Sequence, residues 1–355
     1  MISGLREILK IYLFKVAYFL NCPLLSPDTL QISLTSRCNL QCRMCSVSKY
    51  LTTPTEEMPL AEIIKIISIA KKQFGVKKLV LTGGEPLLLG DLIVQIASFA
   101  SKEGISVILT TNGFYLKENA DRLARSGISH FHISIDGLES THNYIRRNHS
   151  SFQKATEGIK ILSDLRRKHN LKYSIGIGMV LLRVNIPELY DLFVEADSLK
   201  VDVMDLLPYL PDNTDFTCTE NTFLWPDEGI VDKFLQLYEK TTRVNTSHTR
   251  INPFIDAELI VKYYKRKMRK DDWQCMAGFK NIFITMSDPK RQGRFEPCVF
   301  MCKAHIPVRD YNYDLKKIWH SAQSYAARRD IKRCGVYCYQ PCFSFPSLLK
   351  LLKVR

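Results

Sequence analysis

The sequence predicts an α/β fold: a partial (β/α)6 TIM-like barrel with a small C-terminal cysteine-rich α+β domain. Three observations predict it. Apolar strand-like runs alternate six times with helix-periodic segments between residues 30 and 210, the pattern of parallel strands covered by helices. No dinucleotide-binding glycine fingerprint accompanies them, which leaves an incomplete barrel or an open doubly wound sheet. The chemically unusual residues fall at the C-terminal ends of the strands, the face on which parallel barrels carry their chemistry.

Residues 30–35 read as the first strand, and Pro59 to Phe74 as a helix stopped by Gly75. A strand at 77–83 is followed by a helix from Leu89 to Glu103, and one at 105–111 by a helix from Leu116 to Ser126. Gly104 and Gly127 end those two helices. The strand at 130–136 leads to a helix from Phe152 to His169. The strand at 172–182 leads to a helix from Pro187 to Leu199, and 201–207 is the sixth strand. Residues 211–272 change character: polar and proline-bearing at first, then helical at Glu228 to Lys240 and Asp256 to Arg269, as expected of a helical connector. The run Phe279 to Met286, a turn-rich stretch at 287–293 and Phe295 to Cys298 read as a β-hairpin within a cysteine-rich segment, 273–343.

Residues 1–29 hold an amphipathic helix with Leu5, Ile8, Leu9, Tyr12, Leu13, Val16, Phe19 and Leu20 on one face and Arg6, Lys10 and Lys15 as its cations. Such a helix packs on its own domain or lies on a membrane surface. Lys15 interrupts the apolar run and Asn21-Cys22-Pro23 is a poor cleavage site, so a signal peptide is not expected. The tail, 344–355, is again apolar and basic. The 355-residue chain carries 50 Lys+Arg against 36 Asp+Glu, a formal charge of +14. That charge suits nucleic acid, anionic lipid or an acidic substrate equally. The cations are spread along the chain rather than gathered with stacking aromatics, so no nucleic-acid partner is expected. No apolar run is long enough to span a bilayer, and the expected location is cytoplasmic, with the inner face of the membrane open.

Eleven cysteines in an intracellular-looking chain read as metal ligands rather than disulfides. Cys38, Cys42 and Cys45 share one loop after the first strand, with no fourth Cys or His close by to complete a zinc site. A cubane held by three thiolates keeps one iron open to a small chelating molecule. Arg37 and Arg43 flank the trio and are placed to offset thiolate charge or to face solvent. Gly83-Gly84-Glu85-Pro86 follows the second strand, Thr111-Asn112-Gly113 the third, and Ser134-Ile135-Asp136-Gly137 ends the fourth.

The C-x3-C-x2-C spacing directly after a first strand resembles the signature of the radical S-adenosylmethionine superfamily. The resemblance extends over residues 30–210: Gly83-Gly84-Glu85-Pro86 matches the family's GGEP segment, residues 134–137 match a segment at its fourth strand, and Arg146 falls where relatives place an arginine near the methionine carboxylate. Met44 departs from the family's usual aromatic residue beside the third cysteine, and Met is soft and apolar enough to pack over adenine. The resemblance implies that Cys38, Cys42 and Cys45 hold a 4Fe–4S cluster whose open iron chelates S-adenosylmethionine. It implies that Gly83, Gly84 and Glu85 meet the methionine ammonium, that Ser134 and Arg146 hold the ribose and carboxylate region, and that Asn112 faces the same mouth. Asp136 is the weaker candidate, fixing the loop, and residues 179–182 would contact adenine. Residues 273–343 resemble the SPASM or twitch extension of a subset of these enzymes, which implies an auxiliary 4Fe–4S cluster. Its candidate ligands are Cys275 and Cys298 with two of Cys334, Cys338 and Cys342; Cys302 is a further candidate, and Cys22 and Cys218 have no partner pattern. A C-x3-C-x3-C run replaces the usual C-x2-C pair, so ligand identity stays open, as does a structural zinc site in its place.

The function expected is reductive cleavage of S-adenosylmethionine to a 5′-deoxyadenosyl radical and hydrogen abstraction from an unidentified substrate. The net reaction is an oxidation or maturation, with a lipid-linked molecule or sugar as the weakly favoured substrate, fed by a flavodoxin- or ferredoxin-type donor. A ribosomal peptide maturase is the alternative, lowered because residues 1–29 are too short for a leader-binding winged helix. A non-catalytic zinc or nucleic-acid-binding protein is the rival of another class.

Overall fold

The computed structural model describes residues 2–45, 57–211, 224–269, 272–286, 290, 292–298, 304–335 and 338–339, with side chains from residue 9 onward. An N-terminal helix α1 (Ile2–Phe19) precedes β1 (Thr29–Ser33). The other expected strands form as β2 (Lys78–Thr82), β3 (Ser106–Thr111), β4 (Ile128–Ser134), β5 (Ser174–Leu181) and β6 (Val203–Pro208). All six pair in parallel in chain order. The helices that cover them are α2 (Leu60–Phe74), α3 (Asp91–Lys102), α4 (Leu116–Ala124), α5 (Glu139–Arg146), α6 (Ser151–His169) and α7 (Leu189–Ser198). Gly75 closes α2 in the left-handed conformation, φ 67°, donating its N–H to Lys71 O.

β1, β2, β3 and β6 alternate buried and partly exposed residues rather than reading apolar on both faces, whereas β5 is buried along most of its length. Leu30, Ile32, Leu79, Leu81, Val107, Leu109, Phe131 and Ile133 are fully buried in one core with Ile63, Ile66, Ile93 and Ile96 of the covering helices. The intervening residues form a second, half-buried face, and those nearest the strand ends, Thr82, Thr110, Ser134 and Val180, line a cavity. Helix packing therefore leaves this second face free for chemistry.

Two edges extend the sheet beyond the expected six strands. On one side β7 (Arg250–Ile251) pairs in parallel with β6, flanked by α8 (Glu228–Arg243) and α9 (Ala257–Tyr264). The Asp227 and Asp256 carboxylates cap α8 and α9, accepting from Ile230 N and Leu259 N. On the other side β8 (Asn281–Thr285) and β9 (Arg294–Phe295) form the expected hairpin, and β10 (Ile306–Pro307) adds to it. β8 is also hydrogen-bonded in parallel to β1, residue for residue from Thr29↔Asn281 to Ser33↔Thr285. The cysteine-bearing C-terminal region thus shares the barrel's sheet and core. Helices α10 (Leu315–Trp319) and α11 (Ala322–Arg333) complete it. Arg328 of α11 is buried with its guanidinium 4.6 Å from the Trp319 ring centre, and its Nε donates to Gly278 O at 2.7 Å. Cys218, Cys302, Cys342 and the tail 344–355 lie outside the described residues.

Candidate active site

β1 delivers the chain into the cysteine loop, and β2 delivers it into the diglycine turn. Parallel neighbours lie under 5 Å apart, so the two connections must pass close to each other. Gly84 N donates to Thr35 O at 2.6 Å and Glu85 N to Arg37 O at 2.8 Å. A Cβ on Gly84 would stand 2.7 Å from the Arg37 carbonyl carbon and 2.9 Å from Ser36 O. Gly83, at φ 148°, would press a Cβ into Thr35. Glycine is required at both positions by backbone approach.

One cavity of about 210 Å³ is lined by Cys38, Cys42, Cys45, Gly83, Gly84, Asn112, Ser134 and Arg146, with Leu40, Met44, Thr82, Thr110, Thr111 and Val180. Residues from the ends of five strands are thereby brought to one place. Burial raises the Cys38 thiol pKa and pushes Cys42 up to about 11, and each of these thiols also feels the charge of Cys45. Asn112 Nδ2 donates to Asn39 Oδ1 at 2.9 Å and points at Cys38 Sγ, 3.9 Å away. A second cavity, about 260 Å³, adjoins the first through Met44, Cys45 and Val180 and is otherwise lined by Leu207, Pro208, Tyr209 and Leu210.

Several expected roles are redistributed. Arg37 pairs with Glu57 at 2.8 and 3.1 Å, and Arg43 bonds Tyr144 O and stacks on the Tyr144 ring at 4.2 Å. The cation beside the thiols is instead Arg146, whose Nη1 lies 3.8 Å from Cys42 Sγ. Arg146 comes from α5, a helix the sequence pattern did not announce. It is ion-paired with buried Asp136 at 2.5 Å, and that carboxylate together with Cys42 raises the guanidinium pKa against the opposing effect of burial. Asp136 fixes the loop, also accepting from Val180 N at 3.0 Å, while Asn185 Nδ2 donates to the Asp136 carbonyl at 2.7 Å. Of residues 179–182 only Val180 lines the cavity, because strand alternation turns Met179 and Leu181 into the helix-facing core.

Glu85 does not line the cavity. Its carboxylate is fully buried and accepts from Leu87 N, Thr111 Oγ1 and Asn112 N at 2.9, 2.7 and 2.7 Å. Its main-chain N–H and carbonyl are taken by Arg37 O and Leu88 N. Burial raises its pKa and those three bonds oppose the rise. Glu85 therefore braces the strand ends, and Gly83 and Gly84 are the residues of this turn that reach the cavity.

Among the described C-terminal cysteines, Cys275, Cys298 and Cys334 lie near enough to Cys338 to act on its thiol. Burial raises the Cys338 thiol pKa, and Cys275, Cys298 and Cys334 each raise it further. Cys298 and Cys338 are buried, Cys275 and Cys334 half-buried. Cys275 precedes β8, Cys298 follows β9 and Cys334 ends α11, so only the packed hairpin and helix bring them together.

Residues 32–196 match the model of the radical SAM superfamily. Over those residues, just under half of its length, the chain carries a radical SAM superfamily domain. A radical SAM enzyme uses a 4Fe–4S cluster and S-adenosylmethionine, and this donor set fits them: three thiols and an adjoining diglycine turn around one cavity. Among curated relatives, bovine molybdenum cofactor biosynthesis protein 1 is 33% identical over 187 residues, 51% of this chain and 28% of that protein. GTP 3′,8-cyclase of Helicobacter pylori is 31% identical over 179 residues, 50% of this chain and 54% of the enzyme. The chain thus spans about half or less of these relatives' length. The overall fold resembles Streptococcus suis SuiB bound to S-adenosylmethionine, with TM-score 0.64 and 16% identity over 86% of this chain and 68% of that one. It also resembles anSMEcpe with bound AdoMet and a peptide, with TM-score 0.63 and 19% identity over 88% and 85%.

Proposed function

We propose that this radical SAM enzyme carries out a net oxidation or maturation, with an auxiliary 4Fe–4S cluster on Cys275, Cys298, Cys334 and Cys338. The observation that carries it is the shared cavity, where Cys38, Cys42, Cys45, Gly83, Gly84, Asn112, Ser134 and Arg146 stand together. When bound, the cluster and S-adenosylmethionine supply a 5′-deoxyadenosyl radical able to take hydrogen from an unactivated C–H bond. The chain's own residues hold and orient. Gly83 and Gly84 let backbone approach the amino-acid end of the cofactor, and Arg146, pinned by Asp136, offers its remaining N–H groups to a carboxylate. Ser134 suits a ribose hydroxyl, and Met44 and Val180 offer an apolar wall to adenine.

The adjoining cavity takes the substrate. Its lining of Met44, Val180, Leu207, Pro208, Tyr209 and Leu210 suits an apolar portion, which favours a lipid-linked molecule over a bare sugar. Ribosomal peptide maturation is the second reading, supported by the fold shared with SuiB bound to its precursor peptide. A flavodoxin- or ferredoxin-type protein supplies the electron in either case.

Anaerobic reconstitution tests this reading. Two clusters correspond to about eight irons per chain, and dithionite with S-adenosylmethionine should yield 5′-deoxyadenosine. Zinc without iron, or no nucleoside product, would overturn it.

A further inference from the structure

Helix α1 is apolar on two faces, and among the described residues only one is fully covered. Ile11, Phe14 and Ala17 are buried, Phe14 and Ala17 packing on Phe279 with Tyr18 and Leu25 alongside; the Tyr18 ring centre lies 5.5 Å from that of Phe279. The stripe that dominates the sequence pattern points the other way. Leu9, Tyr12, Phe19 and Leu20 are 56%, 64%, 81% and 57% exposed, with Leu24, just beyond the helix, at 50%. At about 100° per residue these outward positions centre nearly opposite Phe14. Leu13 and Val16 lie half-buried among them. A helix apolar all round normally belongs inside a protein or against something else.

The surrounding charge says what. Lys15 is exposed beside the stripe. Lys332 of α11 donates to Phe19 O at 3.0 Å, which sets the basic end of α11 next to the end of α1. Arg329 and Arg333 there are exposed, with the exposed Asp330 between them. Lys10 is taken by Asp28. Glu7 is the one acidic residue among positions 1–27, and the whole chain carries +14. An apolar stripe bordered by cations is the pattern of a helix lying in an anionic lipid interface. A second copy fits poorly, because a two-fold contact would set the same cations against each other.

We propose that the outward face of α1, with Lys15, Arg329 and Arg333, docks this enzyme on an anionic bilayer surface. Leu9, Tyr12, Phe19 and Leu20 enter the interface between headgroups and acyl chains, while Ile11, Phe14 and Ala17 keep the helix fastened to the body. The proposal stands on α1 and the basic end of α11 and does not depend on the cofactor chemistry.

Vesicle co-flotation of the full chain tests it, with vesicles of phosphatidylglycerol and phosphatidylcholine against phosphatidylcholine alone. Binding is expected on the anionic vesicles, at least about tenfold weaker on the neutral ones and weaker again in high salt. Leu9→Gln with Phe19→Gln should lower anionic partition by about tenfold or more, leaving circular dichroism and thermal midpoint unchanged because the buried face is untouched. Lys15→Glu should weaken binding to anionic vesicles and flatten its salt dependence. No flotation of the wild type, or equal flotation of the double variant, would overturn the proposal. So would a dimer in vesicle-free buffer, by light scattering, that the double variant dissolves.

Discussion

Gly84→Ala isolates the contact between the cysteine loop and the diglycine turn. The added methyl would stand 2.7 Å from the Arg37 carbonyl carbon and 2.9 Å from Ser36 O. Carbon atoms settle at about 3.5–4 Å, so the two backbones must part by about 1 Å. Neither side is a flexible side chain that could swing away. The separation strains or breaks the 2.6 Å bond from Gly84 N to Thr35 O and the 2.8 Å bond from Glu85 N to Arg37 O. Overpacking costs about 1–3 kcal/mol and each lost bond about 1 kcal/mol, for a total of about 3–5 kcal/mol if the loops hold still. The cysteine loop is the side able to yield, so the expected outcome is a folded protein whose cluster loop has moved. A misplacement of about 1 Å costs reaction rate on the order of 10²-fold. Iron content, S-adenosylmethionine affinity and the rate of 5′-deoxyadenosine formation would be measured side by side on wild type and variant. Iron retained with cleavage down about 100-fold is expected. Wild-type affinity and cleavage in Gly84→Ala would refute the claim that this turn positions the cofactor against the cluster loop.

Other outcomes separate the remaining parts. Cys42→Ala should abolish nucleoside formation, whereas Cys338→Ala should spare the first cluster and lower iron from about eight to about four per chain. Arg146→Met removes the partner of a fully buried carboxylate and should cost about 3–5 kcal/mol in denaturant unfolding of the apo-protein, while Arg146→Met with Asp136→Leu recovers part of it. His130 is held neutral, its pKa pushed down to about 4 first by burial and then by His132 and Lys78, with Asp205 and Asp202 opposing. A folded pKa below the unfolded value of about 6.5 means stability is present at neutral pH and lost as pH falls from about 6.5 toward 4. Allowing for its partial exposure, the loss over the whole range is about 2 kcal/mol, and about 1 kcal/mol of it falls between pH 7 and 5, so His130→Gln should flatten the decline of unfolding free energy there by about 1 kcal/mol. An equal decline in the variant would remove His130 as its source.

The strand–helix rhythm was legible because each strand carries apolar residues wherever it meets a helix and each helix repeats them every three to four positions. Residues that face the cavity were legible where a strand end meets a glycine, cysteine or amide. What escaped depends on packing that no local pattern encodes. α5 has only Ile145 as a deep aliphatic anchor and no side-chain cap, so nothing in its sequence marks it as the helix that brings Arg146 to Cys42. β7 is two residues long. In α1 the pattern located apolar positions but not the covered ones, because Ile11, Phe14, Ala17 and Tyr18 form a second face that competes with the longer stripe. The nearness of Cys275, Cys298 and Cys334 to Cys338 needed the position of β8 beside β1 and of α11 against Gly278, both long-range facts.

Glu85 and Asp136 show why an open barrel can hold a site at its rim. A closed barrel braces every strand end against two neighbours, whereas an open sheet is free to splay. Here two buried carboxylates accept from the main chain across strand ends. Glu85 ties the end of β2 to Thr111 and Asn112 at the end of β3. Asp136, just past β4, ties to Val180 of β5 and is reinforced by Asn185. The cavity lies between the two braces, and neither carboxylate lines it. Their negative charge is answered unequally: Glu85 is satisfied by hydrogen-bond donors, while Asp136 takes Arg146 as a full counter-ion. Arg146 therefore belongs to the brace and to the cavity at once. Its charge is half spent on Asp136, which tempers its pull on the thiols while fixing its direction. Positioning rather than raw charge is thus what the rim contributes, and the glycine contact at Arg37 and the Asp136–Arg146 pair are its two independent parts.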